Sequence, residues 1–253
     1  MKRFFITVAL SALLLASCGS QNTPPPQDLT ETNLPNETLQ EETQAYTELS
    51  TETDSLETEP EPEKNEFVSP LAEEDFMLPF EQYSWEREFD IEYIVLHFTS
   101  NVVNSKNDPH NMDSIKKLFE ETSVSIHYII DRDGSIKCFI PENYAAWHAG
   151  AGTFGDDEKY TNKMNKYSIG IEMLAIGSQN DMSQYMSADE YNCLNKEYIG
   201  FTDEQYEALK LLLQDVCQRN GIAYDREHII GHDEYNPKKS DPGELFDWSK
   251  LFN

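Results

Sequence analysis

One stretch of this chain cannot form a packed core, and it dictates where folding can happen. Residues 21–66 carry 13 acidic side chains against a single base, Lys64, a net of 1 − 13 = −12, among Thr, Pro, Asn and Ser with Leu only at isolated positions. No apolar period of two or 3.6 residues runs through it, so it has too little hydrophobic surface to offset its ordering entropy. Residues 19–75 therefore read as a disordered acidic tether, and the folded part is expected in residues 76–253, a length that suits one domain.

What precedes the tether says what it is tied to. Lys2 and Arg3 lead an apolar run from Phe4 to Ala16 that is too short to span a bilayer as a mature helix, so residues 1–18 read as an export signal. Leu15-Ala16-Ser17-Cys18 closes it and resembles a bacterial lipobox, whose cysteine is lipidated and becomes the new N-terminus. That resemblance implies an extracytoplasmic protein anchored to a bacterial membrane by lipid on Cys18. The complete chain has 19 Lys+Arg against 47 Asp+Glu, a net charge of −28, which argues against a nucleic-acid partner because phosphate contacts need clustered cations. Beyond Cys18 three cysteines remain, at most one bridge. Cys138 and Cys217 sit on apolar faces; Cys193 lies in a polar stretch, and a bridge from it to Cys217 stays open.

The remainder alternates strands and helices. Ile91 to Phe98 reads as a buried strand and Met112 to Glu121 as a helix with Ile115, Leu118 and Phe119 on one face. Ser125 to Asp131 and Ser135 to Ile140 flank the turn Arg132-Asp133-Gly134, a hairpin signal. Tyr167 to Leu174 is a further strand, and His228 to Gly231 a short last one. Thr202 to Asn220 carries a helix signature, with Thr202 and Gln205 as a capping box and Gly221 as the stop. The expected fold is α/β, a single domain with a central mixed β-sheet flanked by helices. Residues 175–200 are read as a long inserted loop beside a cleft.

Two of the six histidines end strands: His97 follows Ile94-Val95-Leu96 and His232 follows Ile229-Ile230-Gly231. Such a side chain is held by a buried strand yet reachable from a loop. With Asp241 in GHDEYNPKKSDPG, two imidazoles and one carboxylate offer zinc three ligands and leave the fourth position to water, the pattern of a catalytic site.

The order IVLHFTS, SIHYIIDRDGSIKCFIPENYAAWHAG, NKYSIGIEM and IIGHDEYNPKKSDPGELFDW resembles the zinc-dependent N-acetylmuramoyl-L-alanine amidase family, which includes phage-lysozyme-type amidases and the peptidoglycan recognition proteins. The resemblance covers about residues 85–251. It implies hydrolysis of the amide between N-acetylmuramic acid and L-alanine in peptidoglycan or muropeptides, by a monomer. By motif it assigns the zinc ligands to His97, His232 and Asp241, acid–base catalysis to Glu172 and oxyanion stabilisation to Lys239. It places Trp147 and His148 on the substrate and Asn165 against the stem peptide, and leaves His127 as a support. Some phage members carry a tyrosine where this chain has Ile126, which shifts the proton-transfer role to Glu172. The chain ends at Asn253 just after the last motif, so localisation is expected from the lipid and tether. A non-catalytic muropeptide-binding module is the alternative; the retained ligands and Glu172 favour an enzyme.

Overall fold

The computed structural model describes residues 65–252; the leader, Cys18 and the tether through residue 64 lie outside the described residues. In chain order the elements are α1 (Phe80–Tyr83), β1 (Ser84–Glu86), β2 (Tyr93–Thr99), α2 (Met112–Thr122), β3 (Tyr128–Ile130), β4 (Ile136–Cys138), β5 (Tyr144–Ala146), β6 (Ser168–Leu174), α3 (Ala188–Asn192), α4 (Asp203–Asn220), β7 (Ile229–Gly231) and α5 (His232–Tyr235). Five strands make one mixed sheet in the order β4-β3-β6-β2-β7, and β1 pairs with β5 beside it. Strands β3, β6, β2 and β7 are parallel, and β4 returns antiparallel to β3. The expected α/β class, with one central mixed sheet and flanking helices, is what forms.

Local chemistry explains the main elements. Thr202 Oγ1 accepts from the Gln205 N–H at 3.1 Å and Gln205 Oε1 from the Thr202 N–H at 3.0 Å, so the capping box starts α4; Gly221, at φ 67°, ends it. Gly134 closes the β3–β4 turn at φ 86°, where a side chain would also meet the Glu204 carbonyl oxygen at 2.8 Å. On one sheet face Leu96, Ile171, Met173 and Tyr128 pack against Leu209, Leu212, Leu213 and Cys217 of α4. The other face has two separate clusters, Ile129 and Leu174 with Ile115 and Phe119 of α2, and Val95 and Ile230 with Ala149, Met164 and Tyr235.

Two expectations change. Residues 67–75 belong to the folded unit and not to the tether: Val68 and Ser69 are buried, the Ser69 N–H donates to Tyr128 Oη at 2.8 Å, and Glu73 exchanges backbone bonds with Ile136 and Cys138 at 2.9 and 2.8 Å. These contacts are made with residues far along the chain, so local apolar content did not reveal them. Residues 175–200 are also more than a loop. Ser187 and Glu190 form a capping box that starts α3, and Ile176, Met182, Tyr191 and Leu194 bury together with Val102.

Candidate metal and active site

Strand register delivers the central side chains to one place. His97 on β2 stands opposite Glu172 on β6, and Leu96 stands opposite Gly231 on β7, so His232 emerges one step beyond beside His97. All three lie at the C-terminal ends of parallel strands, where loops can enclose a cleft. Asp241 arrives from the loop after α5, which closes on itself through the Asp233 N–H and the Asp241 carbonyl at 3.0 Å.

Nδ1 of His97 and Nδ1 of His232 lie 2.7 and 2.9 Å from the same Asp241 Oδ2. One ligand atom from each of the three falls within 4.8 Å of the others. Which ring nitrogens carry protons follows from the outer partners. His232 Nε2 is 2.9 Å from the Ala149 carbonyl oxygen, which can only accept, so Nε2 is protonated. Ser168 Oγ donates to the Met164 carbonyl at 2.7 Å and so accepts from His148 Nε2 at 3.2 Å; His148 Nδ1 then accepts from His97 Nε2 at 3.1 Å. In the neutral rings both Nδ1 lone pairs therefore face a carboxylate oxygen. That arrangement calls for a cation among the three groups, and zinc takes two imidazoles and a carboxylate with room for a fourth ligand.

The electrostatics agree with a neutral His97 ring beside an ionised carboxylate. Burial, and then the neighbouring His232, push the His97 imidazolium down to about 4 against the opposing pull of Asp241. Burial alone would raise the Asp241 carboxyl, but the adjoining His232 and His97 imidazoles outweigh it and hold the group below the usual carboxylate range. Glu172 is the opposite case. Desolvation first, and then the charge of Asp241, raise its carboxyl well above the ordinary value, with Lys239 opposing. Its Oε2 is shielded and has no hydrogen-bond partner, so among the described residues it is the one buried carboxylate oxygen left free to engage water or a ligand. Lys239 lines the same cavity as Asp241.

The other expected residues divide. Trp147 stands at the surface, 48% exposed, with its ring 4.3 Å from that of Trp85. His148 has both ring nitrogens engaged, toward His97 and Ser168, so it supports a ligand more than it presents a free face. Asn165 Oδ1 accepts from the N–H groups of His148 and Ala149 at 3.2 and 2.7 Å, which fixes the loop carrying both. His127 supports from below: Nδ1 accepts from the Gly170 N–H at 3.0 Å. Gly170 matters for its missing side chain, because a Cβ there would lie 2.6 Å from His148 Cγ and 2.5 Å from Ile126 Cδ1. Arg87 was missed by sequence reasoning. Its guanidinium donates to the carbonyls of Glu142, Lys166, Tyr144 and Ser168 at 2.8 to 3.1 Å, and desolvation lowers it to about 10. It clamps β5 to the start of β6, and no local pattern signals such a role. Cys138, Cys193 and Cys217 are all free thiols, so no bridge joins Cys193 to Cys217.

Comparison with known proteins gives a match over residues 87–244 to the family described as N-acetylmuramoyl-L-alanine amidase. Among curated relatives, the 1,6-anhydro-N-acetylmuramyl-L-alanine amidase AmpD of Haemophilus influenzae is 29% identical over 177 residues, covering 65% of this chain and 82% of that protein. AmpD of Enterobacter cloacae is 32% identical over 130 residues, 51% of this chain and 56% of the relative. The N-acetylmuramoyl-L-alanine amidase AmiD of Escherichia coli is 27% identical over 169 residues, 64% of this chain and 52% of AmiD. The chain thus spans most of the first and about half the length of the other two. The crystal structure of a selenomethionine AmpD derivative shares the fold, with a TM-score of 0.52 at 23% identity over 74% of this chain and 96% of that one.

Proposed function

The chain belongs to the N-acetylmuramoyl-L-alanine amidase family, and from that premise we propose that it hydrolyses the amide joining N-acetylmuramic acid to L-alanine in peptidoglycan or muropeptides, at a zinc ion held by His97, His232 and Asp241. The observation that carries the reading is the convergence of the two Nδ1 atoms on Asp241 beside Glu172, in neighbouring register on β2 and β6. Bound zinc supplies Lewis acidity, which acidifies a water and polarises the scissile carbonyl. Glu172 accepts the proton of the attacking water and returns one to the leaving amine nitrogen, roles that suit a carboxyl raised by desolvation. The Lys239 ammonium donates to the carbonyl oxygen as negative charge develops on it. Trp147 offers an aromatic wall at the rim.

The leader and tether support a location: residues 1–18 with Cys18 would place this domain on a bacterial membrane outside the cytoplasm, on an acidic spacer. The amidase assignment is tested by separating coordination from proton transfer. Glu172→Gln should keep zinc near the wild-type level while turnover falls roughly 10²–10⁴-fold, whereas His232→Ala should lose metal and activity together. Near-normal turnover in Glu172→Gln with zinc in place would move the base elsewhere; undiminished zinc in His232→Ala would break the ligand set.

A further inference from the structure

The segment over residues 175–200 is fixed to the loop that follows Asp241. Buried Asp181 accepts through Oδ2 from the Ser178 N–H at 2.9 Å and from the Glu244 N–H at 3.2 Å. The Glu244 carboxylate in turn accepts from Ser178 Oγ at 2.8 Å and Asn180 Nδ2 at 2.7 Å. The bonds on both sides of Asp181 give the segment one position against the metal-ligand loop.

Met182, Gln184 and Tyr185 of that segment line a cavity of about 280 Å³ together with Phe98 to Asn104, Leu118 and Lys239 to Asp241. Tyr185 is 55% exposed. Its phenol is pushed up by desolvation and then by the carboxylates of Asp241 and Glu172, so the ring stands within the field of the reacting groups. Apart from Lys239 and Asp241 the lining is uncharged: Val102, Val103, Leu118 and Met182 are apolar, while Asn101, Asn104 and Gln184 offer neutral hydrogen-bonding groups.

A muropeptide presents two unlike halves to such a cavity. Its peptide half carries carboxylates, and the lining offers them no cation besides Lys239. Its sugar half is neutral, with C–H faces that pack on an aromatic ring and hydroxyl and acetamido groups that pair with amides. Building on the amidase reading above, we propose that this cavity is the subsite for the N-acetylated sugar side of the substrate, with Tyr185 as the wall against which the sugar packs. Tyr185 is then a specificity residue supplied by the inserted segment.

The test uses the full-length, zinc-loaded protein and three substrates with the same stem peptide: a lactoyl-peptide without sugar, an N-acetylmuramoyl-peptide, and a disaccharide-peptide. Wild type should favour the sugar-bearing substrates. Tyr185→Ala should lower the ratio of their kcat/KM to that of the lactoyl-peptide about tenfold, equivalent to roughly 1.4 kcal/mol, mainly through KM, and Tyr185→Phe should retain most of the ratio. Val103→Glu, at a 51% exposed position of the cavity lining, should lower the ratio as well without disturbing the core. A ratio unmoved in both Tyr185→Ala and Val103→Glu overturns the subsite, as does a KM effect that follows stem length and not sugar content. If zinc-loaded wild type cuts none of the three substrates, the amidase reading itself fails, an outcome distinct from hydrolysis with an unmoved ratio.

Discussion

Replacing His148 by alanine should loosen the metal without touching a ligand. The His97 ring is 2% exposed, and its Nε2 proton goes to His148 Nδ1 at 3.1 Å. Removing the acceptor leaves a buried donor unpaired at a cost of about 1–3 kcal/mol, and frees the ring to rotate or change tautomer so that its Nδ1 lone pair is no longer fixed toward Asp241. Loss of an outer partner of this type lowers metal affinity about 10–100-fold, which corresponds to roughly 1.4–2.7 kcal/mol, in line with the first figure. The assay is zinc competition against a chromophoric chelator, with the thermal transition of the metal-free proteins as a check on folding. Gly170→Ala should act in the same direction although it removes no hydrogen-bonding group, because its Cβ would occupy space 2.6 Å from His148 Cγ. A folded His148→Ala protein that binds zinc as tightly as wild type would refute the tautomer chain from Ser168 through His148 to His97.

Thiol chemistry and pH supply two further checks. Of the described cysteines only Cys193 should react with an alkylating reagent at pH 8, since Cys138 and Cys217 are buried and burial pushes the Cys217 thiol up to about 11 and Cys138 higher still; native-state labelling of Cys138 contradicts that packing. For Glu172 the folded carboxyl is raised above its unfolded value by desolvation, so the native state holds more protons and wild-type stability falls as pH rises from the unfolded value through the folded one. Metal-free Glu172→Gln should therefore melt higher than metal-free wild type at pH 7, with the gap closing toward pH 4; identical melting at pH 7 would mean that the site solvates the carboxylate.

Much of this was legible in the residues, where the cause is local. The Thr202/Gln205 box, the Gly221 stop and the Asp133-Gly134 turn act within a few positions, and each forms where the pattern puts it. His97 and His232 ended apolar strands in the sequence, and parallel pairing turns that into adjacency. What stayed hidden depends on distant partners. The three-residue strands β1 and β5 pair where Trp85 meets Trp147 and Arg87 finds carbonyls from several segments. Residues 67–75 resemble the acidic tether in composition yet pack on Tyr128 and β4. Asn165 Oδ1 takes the backbone N–H groups of His148 and Ala149, a contact that chain spacing does not encode.

The central claim is that zinc at His97, His232 and Asp241 serves hydrolysis of the bond between muramic acid and L-alanine. Its most direct test is mass analysis of products after the purified protein is incubated with muropeptides, with and without a chelator and with zinc restored. The account predicts a free stem peptide beginning with L-alanine and an intact N-acetylmuramic acid product, formed with zinc, abolished by the chelator and recovered on adding the metal back. Products cut within the peptide or between sugars, or the same cleavage undiminished after complete metal removal, would contradict it.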